Sequence, residues 1–476
     1  MRNNYLLLKY LAIYSTLVSI AATVNLPGRT NPDGISMFWE GVNLPMLSTW
    51  HSPFAIFTLS LFRPIFGAPT SGLLIQSALL MLWPSIVFLL ISESKNNPLL
   101  KLLYTAIWAP ICFTFVALAG QVNKDLLLVS LMSTLFFALS WWAAFLPTRP
   151  HRQAHYPEIG TSRIIIITAL LSAISLIRTS NILAITPCLA ICAYYSTQES
   201  GWLRPIYRLF AILAVISFST LFFPSFVGAK KAQPELAPIA FDLIGISAVT
   251  GKELFADTRT NGTPPSSEIT TCYTPKQVDP FFWGKCKDYL PFLYSNSDAL
   301  MRAWISGIFD NPTAYLRHRF GFATYVLSNE GAGNDMIVPP PPFDLAANAI
   351  PYTKSMPDEM TSDIQLWHPS IAYAPFGYVA NVAFTSFLGS PVLWCVLLVG
   401  GAAISLAQTG TRKTALIPLT LTVAGLSNVF MILVLSGSDD LRYLLPTWMC
   451  ALGMLVYFGW HTLKANNGAQ SGDGVR

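Results

Sequence analysis

The chain has 476 residues, 53% of them hydrophobic and only 11% charged, with a mean hydropathy of +0.49. Soluble domains carry roughly 25% charged residues, so a water-soluble fold is excluded and an all-α polytopic membrane protein is expected. The net charge of +5 is of the kind that multi-span proteins gain from cytoplasmic loops, and it implies no nucleic-acid partner.

In chain order, the first element is Tyr5 to Val24, apolar and long enough at 1.5 Å per residue to cross roughly 30 Å of hydrocarbon. It lacks a small-residue cleavage pattern before Asn25, so it reads as a retained span rather than a signal peptide. Residues 25–69 follow as the first outer loop, with Asn31-Pro32-Asp33-Gly34, Glu40 and Trp50-His51-Ser52-Pro53. A hydrophobic helix needs no such chemistry, although an ordinary polar loop with amphipathic surface helices accounts for it as well. Further spans are expected at 71–91, 100–119, 126–146, 164–177, 182–195, 206–227, 391–407, 415–435 and 444–460. That makes a bundle of about 10 transmembrane helices, interrupted by one large, mixed and irregular outer region. The organisation is a transmembrane module over 1–227, an outer loop domain over 228–390, and C-terminal transmembrane helices with a tail over 391–476.

Lysine and arginine set the orientation. With both termini cytoplasmic, the inner segments hold Arg2, Lys9, Lys95, Lys101, Arg149, Arg152, Arg163, Arg204, Arg208, Arg412, Lys413, Lys464 and Arg476. The short outer loops then hold only Arg29, Arg63, Lys124, Arg178 and Arg442. On this assignment Asp33, Glu40, His51, Gln121, Asn123, Lys124, Asp125, Arg178, Asn181, Asp439, Asp440 and Arg442 all fall at the outer face. One external pocket would explain them together, because polar groups at membrane depth face a cavity or one another.

Each has a plainer reading. Lys124-Asp125 opens a span, where Asp complements the helix dipole and Lys snorkels to headgroups. Arg178 ends an apolar run and begins the polar break Arg178-Thr179-Ser180-Asn181; a cation suits a helix C-terminus, and its planar fork also suits phosphate. In Ser436 to Tyr443, Arg442 and Tyr443 enter the last span where a lipid phosphate would sit, or the segment is a turn with a helix cap. Within 228–390, helices are expected at 297–309 and 312–326, with Asn311 as N-cap and Pro312 at the first position. The second carries Arg317, His318 and Arg319 among aromatic residues and suits an interfacial helix or a lid. Trp39, Trp50, Trp283, Trp304 and Trp367 offer flat faces to sugars or anchor the interface.

Of seven cysteines, Cys112, Cys188, Cys192, Cys395 and Cys450 lie in apolar spans, and only Cys272 and Cys286 in the outer region. An oxidising compartment favours a disulfide between those two. No zinc-spaced His/Cys cluster, Walker A loop, GxGxxG, GxSxG or HExxH is present. If the chain is an enzyme, its donor is therefore expected to come from the membrane.

Asp33 in the first outer loop, Trp50-His51-Ser52-Pro53, Asn123-Lys124-Asp125, Leu176-Ile177-Arg178-Thr179-Ser180-Asn181 and Leu441-Arg442-Tyr443-Leu444-Leu445-Pro446 occur in an order that resembles bacterial membrane glycosyltransferases of the GT-C type. Within that type the chain is similar to the serotype-converting O-antigen glucosyltransferases. The resemblance implies a GT-C-like bundle in the bacterial inner membrane, a polyprenyl-phosphate sugar donor, chemistry on the periplasmic face, and Asp33 at the position of the catalytic base. It also implies a glycan or lipid-linked acceptor, membrane lipids as surroundings, and a flippase and donor synthase as pathway partners. The chain departs from the pattern in having one acidic residue at the base position, with Glu40 seven positions on, and His51-Ser52-Pro53 in place of His-Pro. A divalent metal is compatible with the resemblance, but no metal ligand is assigned.

Inverting transfer needs a base for the acceptor hydroxyl and cations for the departing phosphate. Asp33 in a dehydrated cleft is expected to have a raised pKa and act as that base. Lys124, Arg178 and Arg442 are expected to converge on the phosphate, Glu40, His51 and Tyr443 to position substrate, and Asp125 to orient Lys124. Two competing expectations are an O-antigen polymerase or ligase using Arg317 and Arg319, and a lipid or sugar transporter, for which internal repeats are lacking.

Overall fold

A computed structural model describes residues 2–30, 32–93, 98–145, 161–178, 203–234, 236–252, 254, 271–276, 278–281, 297–328, 371–408, 416–437 and 441–472. The described elements are helical: α1 (Arg2–Asn25), α2 (Pro32–Val42), α3 (Pro53–Ser60), α4 (Arg63–Phe66), α5 (Thr70–Leu80), α6 (Leu82–Glu93), α7 (Pro98–Ala119), α8 (Lys124–Phe145), α9 (Thr161–Ile177) and α10 (Leu203–Phe226) come first. They are followed by α11 (Leu236–Thr250), α12 (Ser297–Asp310), α13 (Pro312–Ser328), α14 (Ala374–Thr385), α15 (Pro391–Gln408), α16 (Leu416–Leu435) and α17 (Leu445–Gly472). Among the described residues six helical stretches are long and apolar enough to cross a membrane: Asn4–Asn25, Thr70–Glu93, Lys101–Ala119, Lys124–Trp142, Ile417–Leu435 and Leu441–Gly459. The chain is thus an all-α, multi-pass membrane protein. The expected spans at 164–177, 206–227 and 391–407 appear as the shorter apolar helices Ser162–Ile177, Phe210–Phe226 and Pro391–Ala407. The expected span at 182–195 lies outside the described residues.

The helix α8 is the organising element. Past Lys124 its first two turns are buried, Leu126, Leu127, Leu128, Val129 and Leu131 among them, as an all-round apolar helix requires. It packs on α5, α6, α9 and α17, and so joins two apolar clusters. One is built with α1, α6, α7, α11 and the C-terminal helices, the other with α2, α3, α5, α9 and α10. The span containing α5 and α6 is broken at Met81. Pro84 has no amide hydrogen, so the Leu80 carbonyl four residues earlier loses its helical donor. The buried Ser133 hydroxyl of α8 replaces it, donating to Leu80 O at 2.7 Å and accepting from the Trp83 amide at 3.4 Å. Outward-facing residues on α1 and α10, such as Leu8, Phe210, Phe218 and Leu221, are exposed and apolar, the composition that a lipid-facing surface needs.

At one end of the bundle the first loop is stitched to the α7–α8 connection. Arg29 N donates to Gly120 O at 2.7 Å and Val122 N to Arg29 O at 2.6 Å. Thr30 Oγ1 adds a bond to Val122 O, and Asn25 Nδ2 one to Val116 O. Gly120 must be glycine for this approach, since a Cβ there would lie 2.0 Å from Asn25 Oδ1. The same loop pairs with the start of the 228–390 region, where Lys230 N bonds Leu47 O and Thr49 N bonds Lys230 O. The large region therefore begins at the end of the bundle that carries the first loop.

Within that region α12 and α13 form at 297–310 and 312–328, close to the expected limits. Asn311 does not cap α13 with its side chain: Nδ2 donates back to Gly307 O and Oδ1 accepts from Lys252 Nζ. The helix α13 also packs within the fold as well as presenting an outer face, burying His318, Arg319, Phe322 and Val326 while Leu316 and Phe320 stay exposed. Cys272 is disulfide-bonded; Cys286 lies outside the described residues.

Candidate functional site

Five chain segments meet at one point. Asp33 sits in the first turn of α2, where a carboxylate complements the helix dipole, and the stitched loop before it holds that turn beside α8. Asn123 caps α8, its Oδ1 accepting from Leu126 N at 2.9 Å, so Lys124 and Asp125 fill the first two helical positions. Arg178 directly follows α9, whose tail is tethered by the Ser52 hydroxyl donating to Leu176 O at 2.6 Å. Ser52 also caps α3 by accepting from Ala55 N, and so places His51. Arg442 and Tyr443 lie in a 3₁₀ turn, Leu441–Leu444, that leads into α17. That turn is pinned by Asn428 Nδ2, which donates to Tyr443 O at 3.1 Å and Thr447 Oγ1 at 3.0 Å.

The charged groups alternate. Asp33 Oδ2 lies 3.1 Å from Arg442 Nη2, Arg442 Nε lies 3.6 Å from Asp125 Oδ2, and Asp125 Oδ1 lies 3.2 Å from Arg178 Nε. The Tyr443 ring lies against both guanidiniums, 4.1 Å from Arg178 and 5.2 Å from Arg442, and its hydroxyl accepts from Arg442 Nη2 at 3.4 Å. Lys124 Nζ is 3.5 Å from His51 Nδ1. Asp125 and Arg442 form the floor, with side chains 2% and 10% exposed. Asp33 and Arg178, each 22% exposed, form an accessible mouth. Among the described residues Lys124, Arg178 and Arg442 face the two carboxylates of Asp33 and Asp125, so one positive charge is in excess, in a surrounding of low dielectric where it acts strongly.

Burial drives the Asp33 carboxyl up, but Arg442, Lys124, His51 and Arg178 together outweigh it and hold its pKa well below the ordinary carboxylate range. This corrects the expectation of a raised value, which counted dehydration and left out the cations. Burial, then Lys124, pushes the His51 imidazole down to about 3, so it is neutral near pH 7. The Nδ1 side of the neutral ring faces Lys124 Nζ, and the direction of that hydrogen bond depends on the ring tautomer.

Of the residues expected to form a site, Asp33, His51, Lys124, Asp125, Arg178, Arg442 and Tyr443 are brought together. Their pairing differs in one respect: Asp125 is bound by Arg178 and Arg442 and makes no ion pair with Lys124, because each arginine presents an Nε toward a carboxylate oxygen. Glu40 lies two turns from Asp33 on the same side of α2. Its carboxylate is held by the Ser48 amide at 3.0 Å and the Ser48 hydroxyl at 3.4 Å, so it braces the loop, and burial raises its pKa. Asn181, Asp439, Asp440, Trp283 and Trp367 lie outside the described residues.

A second polar cluster was not foreseen. Asp242 in α11, 1% exposed, accepts from Trp304 Nε1 at 2.8 Å, pairs with Arg319 Nε at 2.7 Å and lies 3.3 Å from His318 Nε2. Arg319 also donates to Leu433 O and Ser436 O, which fixes the end of α16. Its guanidinium is thus committed inside the fold, against the expectation of a substrate-facing Arg319, and Trp304 is committed likewise. The signal was present in the sequence as one carboxylate inside the apolar run Leu236–Thr250, which has to find a cation when buried.

Comparisons with protein-family models, with curated proteins and with solved structures gave no match, so a functional reading of this chain rests on the arrangement of these side chains.

Proposed function

We propose that the chain is a membrane glycosyltransferase of the GT-C type: an inverting hexosyltransferase that moves a sugar from a polyprenyl-phosphate donor to a cell-surface glycan or lipid acceptor at the periplasmic face of the bacterial inner membrane. An O-antigen or lipopolysaccharide acceptor fits this reading. The observation that carries it is the meeting of Lys124, Arg178 and Arg442, from three separate helix ends, around Asp33, the more accessible of the two carboxylates described there.

In this reading the excess positive charge receives the donor phosphate, with Arg178 at the mouth and Lys124 beside it giving charge-assisted hydrogen bonds. Asp33 takes the proton of the acceptor hydroxyl as that oxygen attacks the anomeric carbon, and the cations stabilise the charge left on the phosphate. Asp125 touches no substrate; it fixes two guanidiniums at a set spacing. A polymerase or ligase reading that draws on Arg319 has less support, because that side chain is bound by Asp242 and two carbonyls.

The test is incubation of the purified, reconstituted protein with radiolabelled polyprenyl-phosphate hexose and a lipopolysaccharide acceptor. Transfer by the native chain, its loss in Asp33→Asn, and weaker donor binding in Arg178→Ala than in Lys101→Ala are the expected results. Absence of transfer with every hexose, or near-normal turnover by Asp33→Asn, would overturn the reading.

A further inference from the structure

The Asp33–Arg442 contact has a consequence for how the two halves of such a reaction are linked. Asp33 has one ion-pair partner within 4 Å among the described residues, Arg442 Nη2 at 3.1 Å. Arg442 has a second carboxylate among the described residues, Asp125 at 3.6 Å through Nε. Its Nη2 edge faces the partly accessible Asp33, while its Nε edge faces the buried Asp125. The two edges can therefore change partners separately: loss of Asp33 leaves Arg442 held by Asp125 and by the Tyr443 ring.

We propose that Arg442 is a shared cation, bound by ionised Asp33 at rest and handed to the departing phosphate when Asp33 takes up the acceptor's proton. This rests on the reading above and adds to it the coupling between base and leaving group. The charges balance at both stages. At rest, Lys124, Arg178 and Arg442 against Asp33 and Asp125 leave one positive charge among the described residues, which matches the single negative charge of a phosphodiester donor. During transfer the bond from the anomeric carbon to the phosphate oxygen breaks and its electron pair stays on that oxygen. The bond from the acceptor oxygen to the anomeric carbon forms, and the acceptor proton goes to Asp33. The phosphate then carries up to two negative charges, and the cluster, with Asp33 neutral, carries two positive charges in excess. Complementarity thus grows as the reaction proceeds, which is the condition for an interaction to accelerate a step.

Asp33→Asn imitates the protonated carboxyl and leaves Arg442 held on its Asp125 side. The detergent-purified protein is titrated with farnesyl phosphate, a lipid phosphomonoester, and in parallel with a farnesyl methyl phosphodiester. The phosphomonoester should bind roughly 10-fold tighter to Asp33→Asn than to the native chain, as removal of a competing charge pair predicts. The phosphodiester should gain less. In an Arg442→Gln background the gain from Asp33→Asn should disappear. Unchanged or weaker phosphomonoester binding in Asp33→Asn, or a gain that persists without Arg442, overturns the proposal. Asp33→Ser serves the same comparison should the Asn variant not fold, and size-exclusion and melting profiles establish that each variant is intact. Binding in these arms is independent of turnover, so a chain that shows the coupling but transfers no hexose would refute the proposed function alone.

Discussion

At the scale of single residues, the site is held by ion pairs in which no charge has one role. Asp125 is nearly inaccessible and joins two arginines; burying a carboxylate costs several kcal/mol unless cations and geometry compensate. His51 adds the opposite device, a buried imidazole kept neutral beside Lys124. Its ordinary pKa of 6.5 is lowered to about 3 in the fold, so the sign of its pH dependence is fixed. Above about pH 6.5 both folded and unfolded chains leave it neutral; below that, the unfolded chain binds a proton that the folded chain refuses until near pH 3. The folded state thus loses stability as the pH falls through this window, by up to about 1.4 kcal/mol per unit. Asp33, with its depressed pKa, begins to lose its contribution only as the pH falls into the ordinary carboxylate range, a loss that the native chain and a His51 variant share. His51→Gln should melt below the native chain at pH 7.5, and the gap should narrow steadily between pH 6.5 and 4.5. Melting curves with a constant gap over that range would show that His51 is not held neutral.

At the scale of elements, the spans follow from apolar length, but their breaks do not. Pro84 signals a lost amide; the sequence 49 residues on gives no sign that Ser133 fills the vacancy at Leu80 O. That side chain can be paired with the break only once α8 is known to lie against it. Gly245 is similar, since it looks like a helix weakness until the His318 ring is found 2.2 Å from where its Cβ would be. The Ser133 assignment has a sharp test. Ser133→Ala should destabilise the protein by about 1–3 kcal/mol, the cost of an unsatisfied buried carbonyl. In a Pro84→Ala background the restored amide can bond Leu80 O within the helix, and the same substitution should cost much less. Steric-trap or detergent unfolding of the four proteins of this cycle measures the difference. Additive effects would mean that Ser133 and Pro84 act separately.

At the scale of the whole molecule, the gathering of Asp33, Lys124, Asp125, Arg178 and Arg442 was legible because so few charges interrupt an apolar chain, and those at one set of helix ends must meet. Which carboxylate takes which cation was not legible, because pairing is decided by side-chain direction at the ends of α8, α9 and α17. Sidedness follows the same logic: the first loop and the residues around Lys230 are joined by backbone bonds, while Lys9 and Glu93 pair at the opposite end of the bundle. From the lysine and arginine distribution the first of these ends is expected outside. Lys231, exposed next to Ala232, whose amide bonds Thr49 Oγ1, and Ser92, exposed in the last turn of α6, mark the two ends. The native Cys112 and Cys450 are buried and Cys272 is oxidised, while Cys395 is free and half-buried, so labelling is scored against the native chain. Lys231→Cys should react with a membrane-impermeant maleimide in intact cells, and Ser92→Cys only after the membrane is opened. Labelling in the reverse order would put Asp33 and its cations in the cytoplasm, where a nucleotide-linked donor rather than a lipid-linked sugar presented outside would have to supply them, and both the proposed donor and the proposed acceptor would fall.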